Sequence, residues 1–150
     1  MYLSRLAYYS LVSLDSSNAS AFRQVRSVLE TATQNNLESG LTGGLLFNPT
    51  YFAQVMEGDR QVISDTFCRI AQNPKHKNIV ILDAQPISER IFKSWHVGFA
   101  GKSELAKKLY VKYGTKSQFD PSKMTASALV SFISELVVEE DVIQKLLRKR

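Results

Sequence analysis

Hydrophobic side chains alternate along some stretches of this chain and recur every third or fourth residue along others, and the switching between the two periods predicts the order of its elements. Over residues 2–12, Leu6, Tyr8 and Ser10 share one side of a strand and Ala7, Tyr9 and Leu11 the other. Both sides carry large side chains, so both should be covered. Ser16 to Asn18 supply turn and N-cap chemistry, and Phe22, Val25, Val28, Leu29 and Ala32 then follow at helical spacing. This predicts a first helix that ends in the polar Gln34-Asn35-Asn36. Residues 41–47 and 51–57 are short apolar runs separated by Asn48-Pro49-Thr50, a hairpin signal. Gly40, Gly43 and Gly44 bracket the first run and permit close backbone approach.

Asp59 can cap a second helix that runs to about residue 72, with Val62, Ile63, Thr66, Phe67 and Ile70 as its apolar stripe and Asn73-Pro74 as its stop. The near-continuous apolar run over 78–84 predicts a central strand buried on both faces. A last strand over about 91–99 alternates Ile91, Lys93, Trp95, Val97 and Phe99 against Phe92, Ser94, His96 and Gly98. The order is βαββαβ with one strand doubled or bulged, an α+β, ferredoxin-like sandwich. After Gly98-Phe99-Ala100-Gly101 two helices are predicted, over 105–113 and 125–147, joined by a loop around 114–124 that contains Pro121. The second carries Leu129, Phe132, Ile133, Leu136, Val137, Val142, Ile143 and Leu146, a stripe that needs an apolar partner. Both helices of a ferredoxin-like core cover one sheet face, so the opposite face, with Ala7, Tyr9 and Leu11, is the natural dock. Residues 1–100 thus read as a core and 101–150 as a helical extension of the same domain.

Composition narrows the class. A chain of 150 residues, 44% hydrophobic and 22% charged, can build one domain with a substantial core. Its apolar runs, such as residues 79–82, are too short to span a bilayer. Arg5 interrupts the N-terminal run and no small-residue cleavage site follows, so no secretory signal is read and the cytoplasm is expected. Cys68 is the one cysteine, which rules out an internal disulfide framework; with only His76 and His96 beside it, no metal site is expected and a buried, inert thiol is. The net charge of +5 permits nucleic-acid or acidic partners. Yet the basic residues are spread along the chain except for Lys145, Arg148, Lys149 and Arg150, which suit the solvated C-terminus of a helix.

Candidate chemistry lies in the third strand. Period-two alternation sets Gln54 in a row with Phe52 and Met56, where an unpaired amide costs a few kcal/mol. A carboxamide is donor and acceptor at once and can present either end to a partner. Tyr8 stands in a similar row on the first strand, the neighbour of the third in a ferredoxin-like sheet, so phenol and carboxamide can meet at hydrogen-bond distance. Asn35 and Asn36, at the end of the first helix, offer more amides to the cleft between the helices. On the residues alone this is either a satisfied core hydrogen bond with a helix cap, or a ligand site with a reversible amide.

Five motifs extend the pattern: Leu6-Ala7-Tyr8-Tyr9-Ser10; Asn35-Asn36 followed by Gly40-Leu41-Thr42-Gly43; Phe52-Ala53-Gln54-Val55-Met56-Glu57-Gly58; Asn73-Pro74-Lys75-His76; and Arg90-Ile91-Phe92-Lys93-Ser94-Trp95. In this order, over about residues 2–100, they resemble the BLUF family of blue-light receptors that hold a flavin, and the tail resembles that of the short stand-alone members. The resemblance implies bound FAD, with FMN or riboflavin as alternatives. It implies Tyr8 as photochemical donor of an electron and a proton, Gln54 as the bridge from Tyr8 to flavin N5 and O4, and Asn36, with Asn35 beside it, at the ring's polar edge. It places Arg69 near the flavin carbonyl, Val28 and Ile70 as aliphatic walls, Asn73 and His76 in the flavin-binding set, and Trp95 as a photoactive neighbour. Tyr9 points to the other face. Val97 stands where the family often has methionine, and Asn73 where it usually has aspartate.

The function implied is light sensing without catalysis: Gln54 rotates or tautomerises, and the tail helices pass the change to a separate signalling protein, response-regulator-like, or to a homo-oligomer. Neither nucleic acid nor membrane is called for. Two other readings compete. A ferredoxin-like RNA- or small-molecule-binding module would want exposed aromatics on the sheet face that the tail helices need. A flavin enzyme would want a general acid or base beside the flavin residues.

Overall fold

The computed structural model describes residues 1–12, 18–74, 76–101, 104–113 and 118–136, without the side chains of 18–22. The cap chemistry expected at Ser16 to Asn18, the Phe22 side chain, Lys75, the last helix beyond residue 136 and the basic cluster from Lys145 to Arg150 lie outside the described residues. The elements are β1 (Leu3–Val12), α1 (Asn18–Ser39), β2 (Thr42–Phe47), β3 (Tyr51–Asp59), α2 (Arg60–Gln72), β4 (His76–Pro86), β5 (Trp95–Phe99) and α3 (Glu104–Lys112). A 3-10 turn (Pro121–Lys123) and a helix over 126–136, here α4, follow.

One five-stranded sheet has the order β4-β1-β3-β2-β5. Its first four strands have the arrangement that βαββαβ topology gives, and β5 adds itself to the free edge of β2 in parallel, from Gly43↔Trp95 to Phe47↔Phe99. Strand parity sorts the core into two halves. Leu6, Tyr8, Phe52 and Met56 meet Val28 of α1 and Ile63 of α2 on one face. Ala7, Leu46, Ala53 and Val55 meet Ala106 and Leu109 of α3 and Leu129, Phe132 and Ile133 of α4 on the other. Helices therefore cover both sides of the sheet, as the alternation in β1 requires.

Local chemistry sets the element ends. Asn48 Oδ1 accepts from the amides of Thr50 (2.9 Å) and Tyr51 (2.7 Å), closing the turn between β2 and β3. Asp59 occupies the N-cap position of α2, where its carboxylate accepts from the Tyr2 amide (3.1 Å) and faces the first helix amides, those of Gln61 and Val62, which together hold its pKa down. Thr125 Oγ1 caps α4 by accepting from the Ala128 amide at 3.1 Å. Gly44 lies under α4, where a Cβ would stand 2.6 Å from Ile133 Cγ2.

Four expectations are corrected. The strand read over 78–84 as central is longer and lies at the sheet edge, with Val80 and Ile81 41% and 51% exposed; an apolar, β-branched run reports strand propensity, which is not burial. The strand read from residue 91 begins at Trp95, because the amides of Ile91 and Phe92 bond the Glu57 carboxylate instead of a ladder. The first helix runs past Asn36 to Ser39. Cys68 is exposed, since it falls between the inward positions Thr66 and Ile70 of α2.

Candidate functional site

The pairing of β1 with β3 sets Tyr8 opposite Gln54. Tyr8 Oη donates to Gln54 Oε1 at 3.2 Å, and both residues are buried. The phenol ring meets Phe67 of α2 edge-on at 5.5 Å. Burial pushes the Tyr8 pKa far above that of a free phenol, so the hydroxyl keeps its proton. The other end of the amide, Gln54 Nε2, has no partner, and neither has Asn36 Nδ2 or Trp95 Nε1. Each such buried donor costs about 1–3 kcal/mol. A fold tolerates several of them together where a ligand supplies the missing acceptors.

The end of α1 fixes where Asn36 sits. The Leu41 amide bonds the Asn36 carbonyl (3.0 Å) and the Gly40 amide the Leu37 carbonyl (3.4 Å), a Schellman closure that needs the left-handed backbone Gly40 supplies at φ 74°. The main chain of Asn36 is thereby anchored, and its side chain joins a cleft between α1 and α2. Val28, Asn35, Asn36, Gln54, Arg69, Ile70, Asn73 and His76 all line that cleft. Tyr8 stands behind the lining and is hydrogen-bonded to it through Gln54. Trp95 is set back from the lining, packed in the same core as Tyr8 and Val28.

His76 reaches the cleft through an irregularity in β4. The pairing shifts between Tyr9↔Val80 and Leu11↔Lys77, and within that shift Asn78 adopts φ 52°, a left-handed conformation asparagine tolerates. An unshifted ladder would set Lys77 opposite Val12; the bulge sets His76 there, on the face of Tyr8. Ser10 Oγ lies 3.0 Å from His76 Nδ1, and the imidazole packs 4.8 Å from the Phe52 ring. Burial lowers its pKa to about 4, so the ring is neutral.

Five lining residues escaped the sequence reading as site residues: Ser27, Thr31, Ala32, Leu45 and Thr66. Ser27, Thr31 and Asn35 recur at four-residue spacing beside the apolar stripe of α1, a signal present in the sequence. Thr66 Oγ1 accepts from Arg69 Nη2 at 3.3 Å. Among the described residues the lining holds no carboxylate. Aliphatic walls with two unbonded amide donors fit a flat heteroaromatic ring whose carbonyl and imine acceptors lie along one edge, which describes an isoalloxazine. Residues 3–98 match the family profile described as sensors of blue-light using FAD.

The chain belongs to the BLUF family. As a BLUF protein it is a blue-light photoreceptor whose cofactor is FAD. It is similar to the photoactivated adenylate cyclase subunit beta of Euglena gracilis, 31% identical over 80 residues that make up 53% of this chain and 9% of that protein. The chain thus spans under a tenth of that relative's length. Among solved structures it is similar to BlsA in its photo-activated state (TM-score 0.74, 25% identity, 91% of this chain and 95% of that one). It is also similar to BlrB, a BLUF protein in its dark state (TM-score 0.60, 27% identity, 75% of this chain and 79% of that one). BLUF domains signal to effector domains. Among the described residues no helix is long and apolar enough to cross a membrane.

Proposed function

We propose that light acts in this protein on the Tyr8–Gln54 pair, with the flavin held in the cleft between α1 and α2. Val28 and Ile70 are its walls, Asn36 and Gln54 its amide donors, and Asn35, Arg69, Asn73 and His76 complete its surroundings. Flavin, once bound, absorbs blue light and becomes a strong oxidant. Tyr8 holds its proton on Oη while reduced, because burial disfavours the phenolate. Loss of an electron makes that proton acidic, and Gln54 Oε1, 3.2 Å away, is the acceptor in reach; on recombination electron and proton both return to Tyr8, leaving only the amide changed. Gln54 answers by turning end for end or by tautomerising, and either exchanges the donor and acceptor it shows to Tyr8 and to the cleft. Trp95, set back in the same core, accompanies the photochemistry without being its donor.

The observation that carries this reading is a carboxamide bonded to a buried phenol at one end and unpartnered at the other, on the wall of the cleft. The purified protein should be yellow and show a small, reversible red shift of its flavin absorption after blue light. The Tyr8→Phe variant should keep the flavin and lose the shift. A colourless protein that takes up no added FAD overturns the reading, and a normal photocycle in Tyr8→Phe overturns the donor assignment.

In the same reading residues 1–100 are the flavin-binding core and 101–150 an output extension of one domain, supported by the burial of Ala7, Leu46 and Val55 under α3 and α4. The module performs no catalytic step of its own, a reading supported by the match to a family profile that describes sensors. It acts in the cytoplasm on a separate, response-regulator-like protein or through its own homo-oligomer. The sheet face that an RNA-binding module would expose is covered by helices.

A further inference from the structure

Three residues beyond Gln54 on β3, Glu57 is fully buried, and the light reaction described above has no use for it. Its Oε2 lies 2.6 Å from Arg5 Nη2 and accepts from Arg5 Nε at 2.8 Å. Its Oε1 accepts from the main-chain amides of Ile91 (2.9 Å) and Phe92 (2.8 Å). A side-chain carboxylate thus occupies the place of a neighbouring strand, and regular pairing resumes only at Trp95, opposite Gly43. On the same segment Arg90 Nη1 bonds the Gly40 carbonyl (3.0 Å) and Thr42 Oγ1 (2.9 Å).

What this segment delivers is Trp95. Phe92 turns into the tail-side core and Trp95 into the core around Tyr8. The indole is 9% exposed and its Nε1 has no hydrogen-bond partner, so no polar contact of its own keeps it inside. Burial of the ring is opposed by its unbonded N–H, which water would satisfy. Its position therefore depends on packing and on where the main chain is pinned. The pins are Arg90 on Gly40 and Thr42, Glu57 at residues 91 and 92, nearest the turn into the core, and the Gly43 amide on the Ser94 carbonyl at 3.1 Å.

We propose that Glu57 is a positioning residue: gripped by Arg5, it holds the amides of Ile91 and Phe92 and so keeps Trp95 inside the core that contains Tyr8. Its loss lets the indole move outward. The effect on the photocycle rests on the function proposed above; the placement of Trp95 does not.

The chain has a single tryptophan, so its fluorescence reports this position alone. The Arg5→Leu/Glu57→Leu pair removes the clamp without stranding either charge, a replacement buried ion pairs commonly tolerate. Glu57→Gln keeps the side-chain volume and one carbonyl for the amides, and gives the reading if the pair does not fold. In full-length protein with and without FAD, tryptophan emission should move to longer wavelength and acrylamide quenching rise severalfold, less so in Glu57→Gln. Flavin uptake and the light-induced red shift should persist, with return to the dark spectrum changed severalfold. Emission and quenching equal to those of the unaltered protein overturn the proposal. An unaltered protein that binds no FAD overturns the proposed function and leaves the tryptophan result standing, so the two fail separately.

Discussion

Asn36 and Gln54 carry opposite obligations in the empty and the filled cleft. Each leaves an amide donor unbonded inside the protein, a cost removed only when an acceptor arrives. For Asn36→Ala the two measurements should therefore part company. Thermal unfolding of the flavin-free protein should be unchanged or shifted upward, because an unsatisfied donor has gone. FAD should bind roughly 5- to 30-fold more weakly, the equivalent of one lost hydrogen bond of about 1–2 kcal/mol. A parallel fall in both would make Asn36 a structural residue. His76 gives a pH test: burial lowers its pKa from 6.5 to about 4, so the unfolded chain takes up a proton that the folded chain refuses. Its contribution is whole above pH 6.5 and is lost as pH falls to 4, by at most roughly 3 kcal/mol. The pH dependence of Tm across that window should flatten in His76→Gln; an unchanged slope would assign it to other groups.

Elements, not single residues, decide how close the layers come. A Cβ at Gly44 would press on Ile133 Cγ2 at 2.6 Å, whereas one at Gly43 would fall 1.9 Å from the Val55 carbonyl oxygen. Gly44→Ala should lower stability in urea by about 1 kcal/mol or more, and Ile133→Ala should recover part of that loss. Gly43→Ala should cost more, and no change in α4 should relieve it, because the obstacle is main chain. What was legible in the sequence follows the same division. Alternation in β1 and β3 gave the two faces, and with them the meeting of Tyr8 with Gln54 and the docking side of the tail. The start of β5 was hidden, because a side chain from another strand satisfies its approach. The edge position of β4 was hidden too, as was the Asn78 bulge that turns His76 rather than Lys77 to the cleft; neither leaves a mark in residue pattern.

At the scale of the whole molecule, α3 and α4 are part of the core. Phe132 is packed by Tyr110 at 5.7 Å and Phe119 at 5.3 Å, and the Asn48 amide ties the β2–β3 turn to the Phe119 carbonyl at 2.9 Å. A chain ending at Gly101 would open Ala7, Leu46, Ala53 and Val55 to water. Light scattering should then show it associating or aggregating in darkness as well as in light; a monodisperse monomer would mean that the tail only rests on the sheet. Gln54 and Val55 are consecutive, one turned to the cleft and the other to the tail helices, on a strand bonded to neighbours along both its edges. In mechanical terms the sheet is a diaphragm one backbone thick: in the function proposed above, a deflection that begins on the cleft side would reach the side of α3 and α4 through a single peptide unit, with no intermediate part to lose it.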